Sequence, residues 1–272
     1  MSINLALESA LSGLLTSQKA LDVVSNNVAN LNTPGYTRQQ LVEESNTLSG
    51  TGAGVMSAGI KRTVAQGLVN SIQTANGTLN QLTTNDQFYT QIQNLFGTPK
   101  DASSISGQIQ GLINDVQSLA ATPNQPPTTV VNDLSQVASS LQSMSTSVQS
   151  LRDQADQQIG DAVTAVNTAL NNIAVLNNQI GTNGVAGVNT NDLQDKRDSQ
   201  LKTLASYLTF VSFPRPDGTI SIYTPQGTPL LDSSAKTVSH DATTAIEPRM
   251  TYDINSGTGS LQGVKVNGTD IS

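Results

Sequence analysis

A heptad stripe opens the chain. Ile3, Ala10, Ser17, Val24 and Leu31 recur every seven residues, and Leu7, Leu14, Leu21 and Val28 form a second register four positions on. These are the two seam positions of a coiled coil sustained over about four heptads, with Ser17 the one break in the apolar rule. A helix with such a stripe needs a partner helix to cover it. The plainer alternative is an ordinary amphipathic helix packed on its own domain.

The residues after the stripe end the helix. Ser25-Asn26-Asn27-Val28-Ala29-Asn30-Leu31-Asn32 is Asn-rich, and Asn tolerates left-handed backbone and competes for backbone hydrogen bonds. Thr33-Pro34-Gly35 then enforces a turn. Pro34 fixes its own φ and pushes Thr33 out of the helical region, while Gly35 supplies a positive φ. Tyr36-Thr37-Arg38 follows.

The segment Ala29–Tyr36 resembles the signature shared by the axial proteins of the bacterial flagellum (rod, hook and hook-associated proteins). The longer run through Arg38-Gln39 is most similar to the FlgK family of hook-associated proteins. The resemblance implies a structural protein that joins hook to filament by self-assembly through its terminal helices, with no catalysis and no cofactor. It makes Ile3, Leu7, Ala10, Leu14, Leu21, Val24, Val28 and Leu31 the assembly seam. It makes Asn27, Ala29, Asn30, Asn32, Thr33, Pro34, Gly35, Tyr36 and Arg38 the family motif. Implied partners are hook subunits, the next hook-associated protein, further copies of the chain in a ring or tube, an export chaperone and the type III export apparatus. The implied location is the extracellular flagellum, reached from the cytoplasm without a cleaved signal. Before assembly the terminal helices would stay largely disordered.

Charge and composition exclude other classes. Aromatic residues make up 3%, charged residues 12%, and the formal charge is −7, so no basic stripe exists to neutralise phosphates. Lys61-Arg62 and Lys196-Arg197 read as solvated surface pairs. Without cysteine there is no disulfide framework or thiolate metal site. The N-terminus has no basic n-region, and its apolar residues are periodic, not continuous, so neither a secretory signal nor a membrane span is expected. Ser49–Gly54 reads as a flexible loop and lacks the Lys-Ser/Thr ending of a phosphate-binding loop.

The reading along the chain is mainly α: a coiled-coil-type helix, then an elongated helical bundle, then a small β-rich region near the C-terminus. Four segments are expected: the terminal helix and turn (1–40, an inner-tube domain), a linker with short strands (41–64), a helical bundle (65–208) and a β-rich part (209–272). The Val55–Arg62 stretch is expected as a strand.

Helical periodicity over 65–96 uses Leu68, Ile72, Leu79, Leu82, Tyr89 and Ile92, and Gly97-Thr98-Pro99 stops it. Ser103 or Ser104 could cap the next helix, and Thr122–Pro127 breaks the chain. The longest helix runs from about Thr129 to Ile180. Leu134, Leu141 and Val148 alternate there with Val137, Met144 and Leu151. The register then slips by one residue, and Ile159, Val166, Ile173 and Ile180 carry it on. A slip changes the local winding, so the rod is expected to pack against the two preceding helices, not to form one uniform coiled coil.

A loop is expected over Gly181–Gly187, then a helix capped by Asn191 with Leu193, Leu201, Leu204 and Leu208 inward. Asp192, Asp195 and Asp198 read as its solvated face, paired locally with Lys196 and Arg197. This helix resembles the Asp-Leu-x-Asp-x-Arg-Asp-x-Leu helix of the same family. From Thr209 the period changes to two: a hairpin around Pro214–Gly218, and strands near Leu230-Leu231, Arg249–Ile254 and Leu261–Val266, with Asn267-Gly268 a turn.

FlgK-like chains continue for a comparable length and end in a heptad helix that pairs with the first. The sequence to Ser272 is therefore expected to be an N-terminal half, with residues 1–31 mobile or aggregation-prone in isolation. No catalytic constellation is legible. His240 lies in Ser239-His240-Asp241 within a polar, loop-like stretch without a nucleophile elbow, and neither Glu43-Glu44 nor Glu247 sits as a hydrolytic carboxylate pair. The alternatives are a rod or hook subunit, and a soluble adhesin-like module gripping one partner helix.

Overall fold

The computed structural model describes residues 3–48, 51–122, 124–253 and 259–271. Its order is α1 (Ile3–Ala29), β1 (Gln39–Leu48), β2 (Thr51–Arg62), α2 (Gln66–Phe96), α3 (Ile105–Ala121), α4 (Thr128–Val185), α5 (Asn191–Ala205), β3 (Val211–Pro214), β4 (Ile220–Tyr223), β5 (Pro229–Leu231), β6 (Val238–His240), β7 (Val264–Val266) and β8 (Thr269–Asp270). The mainly helical reading holds. The chain divides into two compact units, one of residues 1–77 and 165–237, the other of 78–164 and 238–272.

In the first unit α1 lies along an antiparallel hairpin of β1 and β2, paired from Gln39↔Arg62 to Leu48↔Thr51. Gly54 permits the close approach. At φ +106° it bends β2, and a Cβ there would lie 2.1 Å from Ser12 Oγ. Thr51–Gly54 therefore belong to β2, contrary to the loop expected there; Ser49-Gly50 lie outside the described residues.

The core of this unit forms where the second half of α4 meets α5 and the β3-β4-β5 sheet. Leu170, Ile173, Ile180, Leu204, Ile222, Leu230 and Leu231 are fully buried. Asn177 acts as a substitute strand partner: its Nδ2 donates to Ile220 O (2.7 Å) and its Oδ1 accepts from Ile220 N (3.2 Å). Helix α4 runs past the expected stop at Ile180 to Val185. Small residues fit there: Gly181 lies against Thr219 and Gly184 faces Asp217 O, so packing outweighs the poor helix propensity of glycine. The helix closes through Gly187 (φ +73°) with Val188 N donating to Asn183 O at 2.9 Å, as in a Schellman motif.

In the second unit α2 ends at Phe96 before Gly97 (φ +66°), and Ser104 is the cap of α3, accepting from Gly107 N at 3.0 Å. The break after Ala121 falls where Thr122–Pro127 requires it; Pro123 lies outside the described residues. In the first half of α4 Val137 is buried, whereas Leu134 and Leu141 remain exposed.

The small β6-β7-β8 sheet closes through Asn267 (φ +47°) and Gly268 (φ +84°), a type I′ pattern. One strand expectation narrows here and another fails. The span 261–266 narrows to β7, and 249–253 is irregular, Ile254 lying outside the described residues. Arg152 takes the carbonyls of Glu247 and Met250, and Thr251 N donates to Ser260 Oγ, so this backbone is diverted from a ladder.

Candidate functional site

Helix α1 has two faces, and the apolar one points outward. Leu14, Leu21 and Val28 are 67%, 67% and 69% exposed, and Ile3, Leu7, Ala10 and Val24 are likewise exposed, as is Leu31 in the turn just past the end of the helix. Leu11 and Leu15 widen the stripe. The inward face is small and polar, running through Ser9, Ser12, Thr16, Ala20, Val23 and Asn27. Thr16 and Val23 are buried there, and Ser12 Oγ accepts from Val55 N at 3.2 Å. The usual amphipathic arrangement is thus inverted within this unit. The helix does pack on its own domain, but through its small face, which leaves the seam unpartnered among the described residues.

The motif turn forms as its chemistry requires. Tyr36 N donates to Thr33 O at 3.1 Å across Pro34-Gly35, with Gly35 at φ +83°, the type II pattern. Asn30 Oδ1 accepts from Thr33 Oγ1 (3.2 Å). Asn27 is the clamp. Its Nδ2 donates to Gln39 O (2.8 Å), and its Oδ1 accepts from Gln39 N (2.9 Å) and from the Tyr36 hydroxyl (3.0 Å). The structure therefore joins Asn27 with Tyr36 and Asn30 with Thr33. Ala29, Asn32, Pro34 and Arg38 remain on the surface.

Beyond the turn lies a polar cluster against α5. Arg62 and Asp195 have side chains 7% and 10% exposed, with Arg62 Nε 2.8 Å from Asp195 Oδ1. Arg62 also donates to Asp198, to Gln194 Oε1 (3.1 Å) and to Thr37 Oγ1 (3.2 Å), while Thr37 N donates to Asp195 Oδ2 (3.0 Å). Asn191 reaches Ile60 O at 3.1 Å, and Gln39 Nε2 donates to Asp192 at 3.3 Å. Burial, then the Asp192 and Asp195 carboxylates, raise the Tyr36 hydroxyl above its ordinary pKa.

These contacts correct three sequence readings. Lys61 is solvated but Arg62 is not, because alternation along a strand sends neighbouring side chains to opposite faces. Asp195 and Asp198 pair with Arg62 across the fold, not with Lys196 and Arg197. Steps of three residues turn a helix only about 60° short of a full revolution, so all three aspartates share one broad face, and that face meets the hairpin. Asn191 is not the cap of α5. Thr190 holds that position, and the Asn191 side chain turns to β2. Arg197 is buried on another side, donating to Gly218 O (2.7 Å) and Asn177 Oδ1 (3.3 Å), and desolvation lowers its pKa despite the opposing pull of Asp198.

Elsewhere, His240 belongs to β6 and not to a loop. Its side chain is 1% exposed, with Nε2 2.9 Å from Asp156 Oδ1 and Nδ1 3.3 Å from Gly263 O. The described residues bring no three His, Asp or Glu side chains together as a metal would need, and no described helix is long and apolar enough to cross a membrane.

The family model described as "Flagellar hook-associated protein FlgK helical domain" matches residues 89–270. The chain belongs to the FlgK family. A second model, "Flagella basal body rod protein", matches residues 7–37, which is α1 with its turn. Flagellar hook-associated protein 1 of Salmonella typhimurium is 31% identical over 83% of this chain and 42% of that protein. The namesake proteins of Escherichia coli K12 (29%; 84% and 43%) and Bacillus subtilis (26%; 79% and 45%) are similar. The chain thus spans less than half the length of these relatives. The structure of the flagellar hook junction protein FlgK from Burkholderia pseudomallei shares the fold at a TM-score of 0.58, with 24% identity, over 64% of this chain and 31% of that one. FlgK-family chains are structural proteins of the flagellum and not enzymes.

Proposed function

We propose that this FlgK-family chain is a subunit of the junction between flagellar hook and filament, and that the outward seam of α1 is its assembly surface. The supporting observation is the inverted helix: its small polar face is spent on the β1–β2 hairpin, and eight heptad positions remain exposed. Covering that stripe requires further helices. They come from neighbouring copies, hook subunits, the next hook-associated protein, or the rest of a longer chain of this family. The domain order proposed is a terminal inner-tube segment (1–40), a strand-bearing connection (41–64), a helical body (65–208) and a β-rich part (209–272). The subunit would leave the cytoplasm through the type III export apparatus with an export chaperone, and act outside the cell.

The test is deletion of residues 1–31 from the full-length protein in its source bacterium, followed by its detection in purified hook–filament preparations. Loss of incorporation is expected, whereas undiminished incorporation would remove the mechanism. A rod or hook subunit is the second reading, favoured by the rod-family match to residues 7–37. That match is confined to the terminal segment, whereas the FlgK match covers most of the chain.

A further inference from the structure

The two sequence signatures of this chain lie about 150 residues apart and dock on one another. The Asn–Thr-Pro-Gly-Tyr turn leads into Thr37 and Gln39, and the Asp-rich start of α5 receives them. Arg62 stands between. Its guanidinium faces acceptors from two directions, Thr37 on the motif side and Gln194, Asp195 and Asp198 on α5. Both chain crossings at the base of the hairpin are held: Thr63 N donates to Arg38 O at 2.9 Å, and Asn191 binds Ile60 O. We infer that Arg62 is a positioning residue: it locks the hairpin, and through it α1, to α5, so that the assembly seam is presented in one fixed direction.

Lever geometry explains why a single lock at this point matters. Asn27 sits at the hairpin base beside Gln39, while Ser12 lies farther out beside Val55. From Asn27 to Ile3 the helix extends about 36 Å at 1.5 Å per residue. A swing of about 10° at the base would therefore move the far end by about 6 Å, roughly one helical turn. Heptad knobs would then meet the wrong holes. A planar fork with several donors holds direction as well as distance, which an ammonium on a flexible stem does not.

This inference rests on the assembly reading, so its test separates the two. Full-length protein carrying Arg62→Ala, Arg62→Lys, Asp198→Asn or the seam pair Leu14→Ser/Leu21→Ser is compared with wild type. Incorporation into hook–filament junctions is measured together with hydrogen exchange at the Thr37 amide, whose acceptor is Asp195. For Arg62→Ala, incorporation is expected to fall at least tenfold and Thr37 exchange to accelerate, with helices of the second unit still protected. Arg62→Lys should recover part of the loss. Incorporation of Arg62→Ala within twofold of wild type, or unchanged Thr37 exchange, overturns the lock. If Arg62→Ala does not fold, Asp198→Asn decides. A folded variant with reduced incorporation supports the lock, and undiminished incorporation overturns it. Normal incorporation of the seam pair would refute the assembly reading instead, leaving Thr37 exchange to judge the lock.

Discussion

Replacing Asn27 with Ala tests the clamp at the end of α1 in quantitative terms. One carboxamide there makes three hydrogen bonds: to Gln39 O at 2.8 Å, from Gln39 N at 2.9 Å and from the Tyr36 hydroxyl at 3.0 Å. Each contributes about 1 kcal/mol net. Asn27 and Gln39 are half-buried, so water recovers part of the loss, and about 2 kcal/mol of local docking energy is expected to disappear. Ala is the better helix former by about 0.5 kcal/mol, so helicity should not fall. The assay is native-state hydrogen exchange at the Gln39 amide, whose acceptor is the side chain being removed. At 1.4 kcal/mol per tenfold, exchange should accelerate by about 30-fold. Asn27→Asp keeps an acceptor for Gln39 N and Tyr36 but loses the donor to Gln39 O, so it should fall between. Gln39 exchange within about twofold of wild type in the Ala variant would refute the reasoning, because the clamp would then hold nothing.

Four further outcomes follow from other contacts. Gly54→Ala should cost about 2 kcal/mol or more, since its φ of +106° is unfavourable with a Cβ and that Cβ would strike Ser12; a urea midpoint unchanged from wild type would contradict it. Asn177→Ala leaves Ile220 N–H and C=O without their partner and should cost about 2–4 kcal/mol by urea unfolding. His240→Ala leaves the buried Asp156 carboxylate, among the described residues, with the Thr243 amide at 2.8 Å, and about 3 kcal/mol of stability should be lost, read by chemical denaturation with probes in the second unit. Because the folded Tyr36 pKa is raised above 10.0, its contribution is present below the ordinary tyrosine pKa and is lost as pH rises through the folded value. In an absorbance titration of the 5 tyrosines Tyr36 should ionise late, and Tyr36→Phe should remove that late step.

Periodicity carries far in this sequence. The heptads of α1 and α4, the stops at Gly97 and Thr122–Pro127, and the turns at Pro34-Gly35 and Asn267-Gly268 rest on local chemistry and could be read directly. What was not legible depends on long-range pairing. An arginine in a strand looks like any surface cation until α5, more than 120 residues later, brings carboxylates to it. Alternation in β2 marks Lys61 and Arg62 as facing opposite ways, and the aspartates of α5 mark one acidic face. Nothing in either segment says that the two meet. The same holds for His240, whose partner Asp156 lies on α4. Gly181 and Gly184 look like helix breakers and are instead contact surfaces, because only the folded β3–β4 turn shows what they must fit.

These 272 residues contain no cysteine, so single cysteines introduced along α1 serve as reporters of accessibility, read against the protein without them. Leu14→Cys and Leu21→Cys on the seam, with Val23→Cys on the hairpin side as the buried control, should be treated with a thiol reagent in the free subunit and in intact flagella. The seam thiols should react readily in the free subunit and become protected in assembled junctions, while the thiol at the control position stays protected in both. Seam thiols that remain fully reactive in assembled flagella would contradict the claim that the open face of α1 is the surface through which this chain assembles.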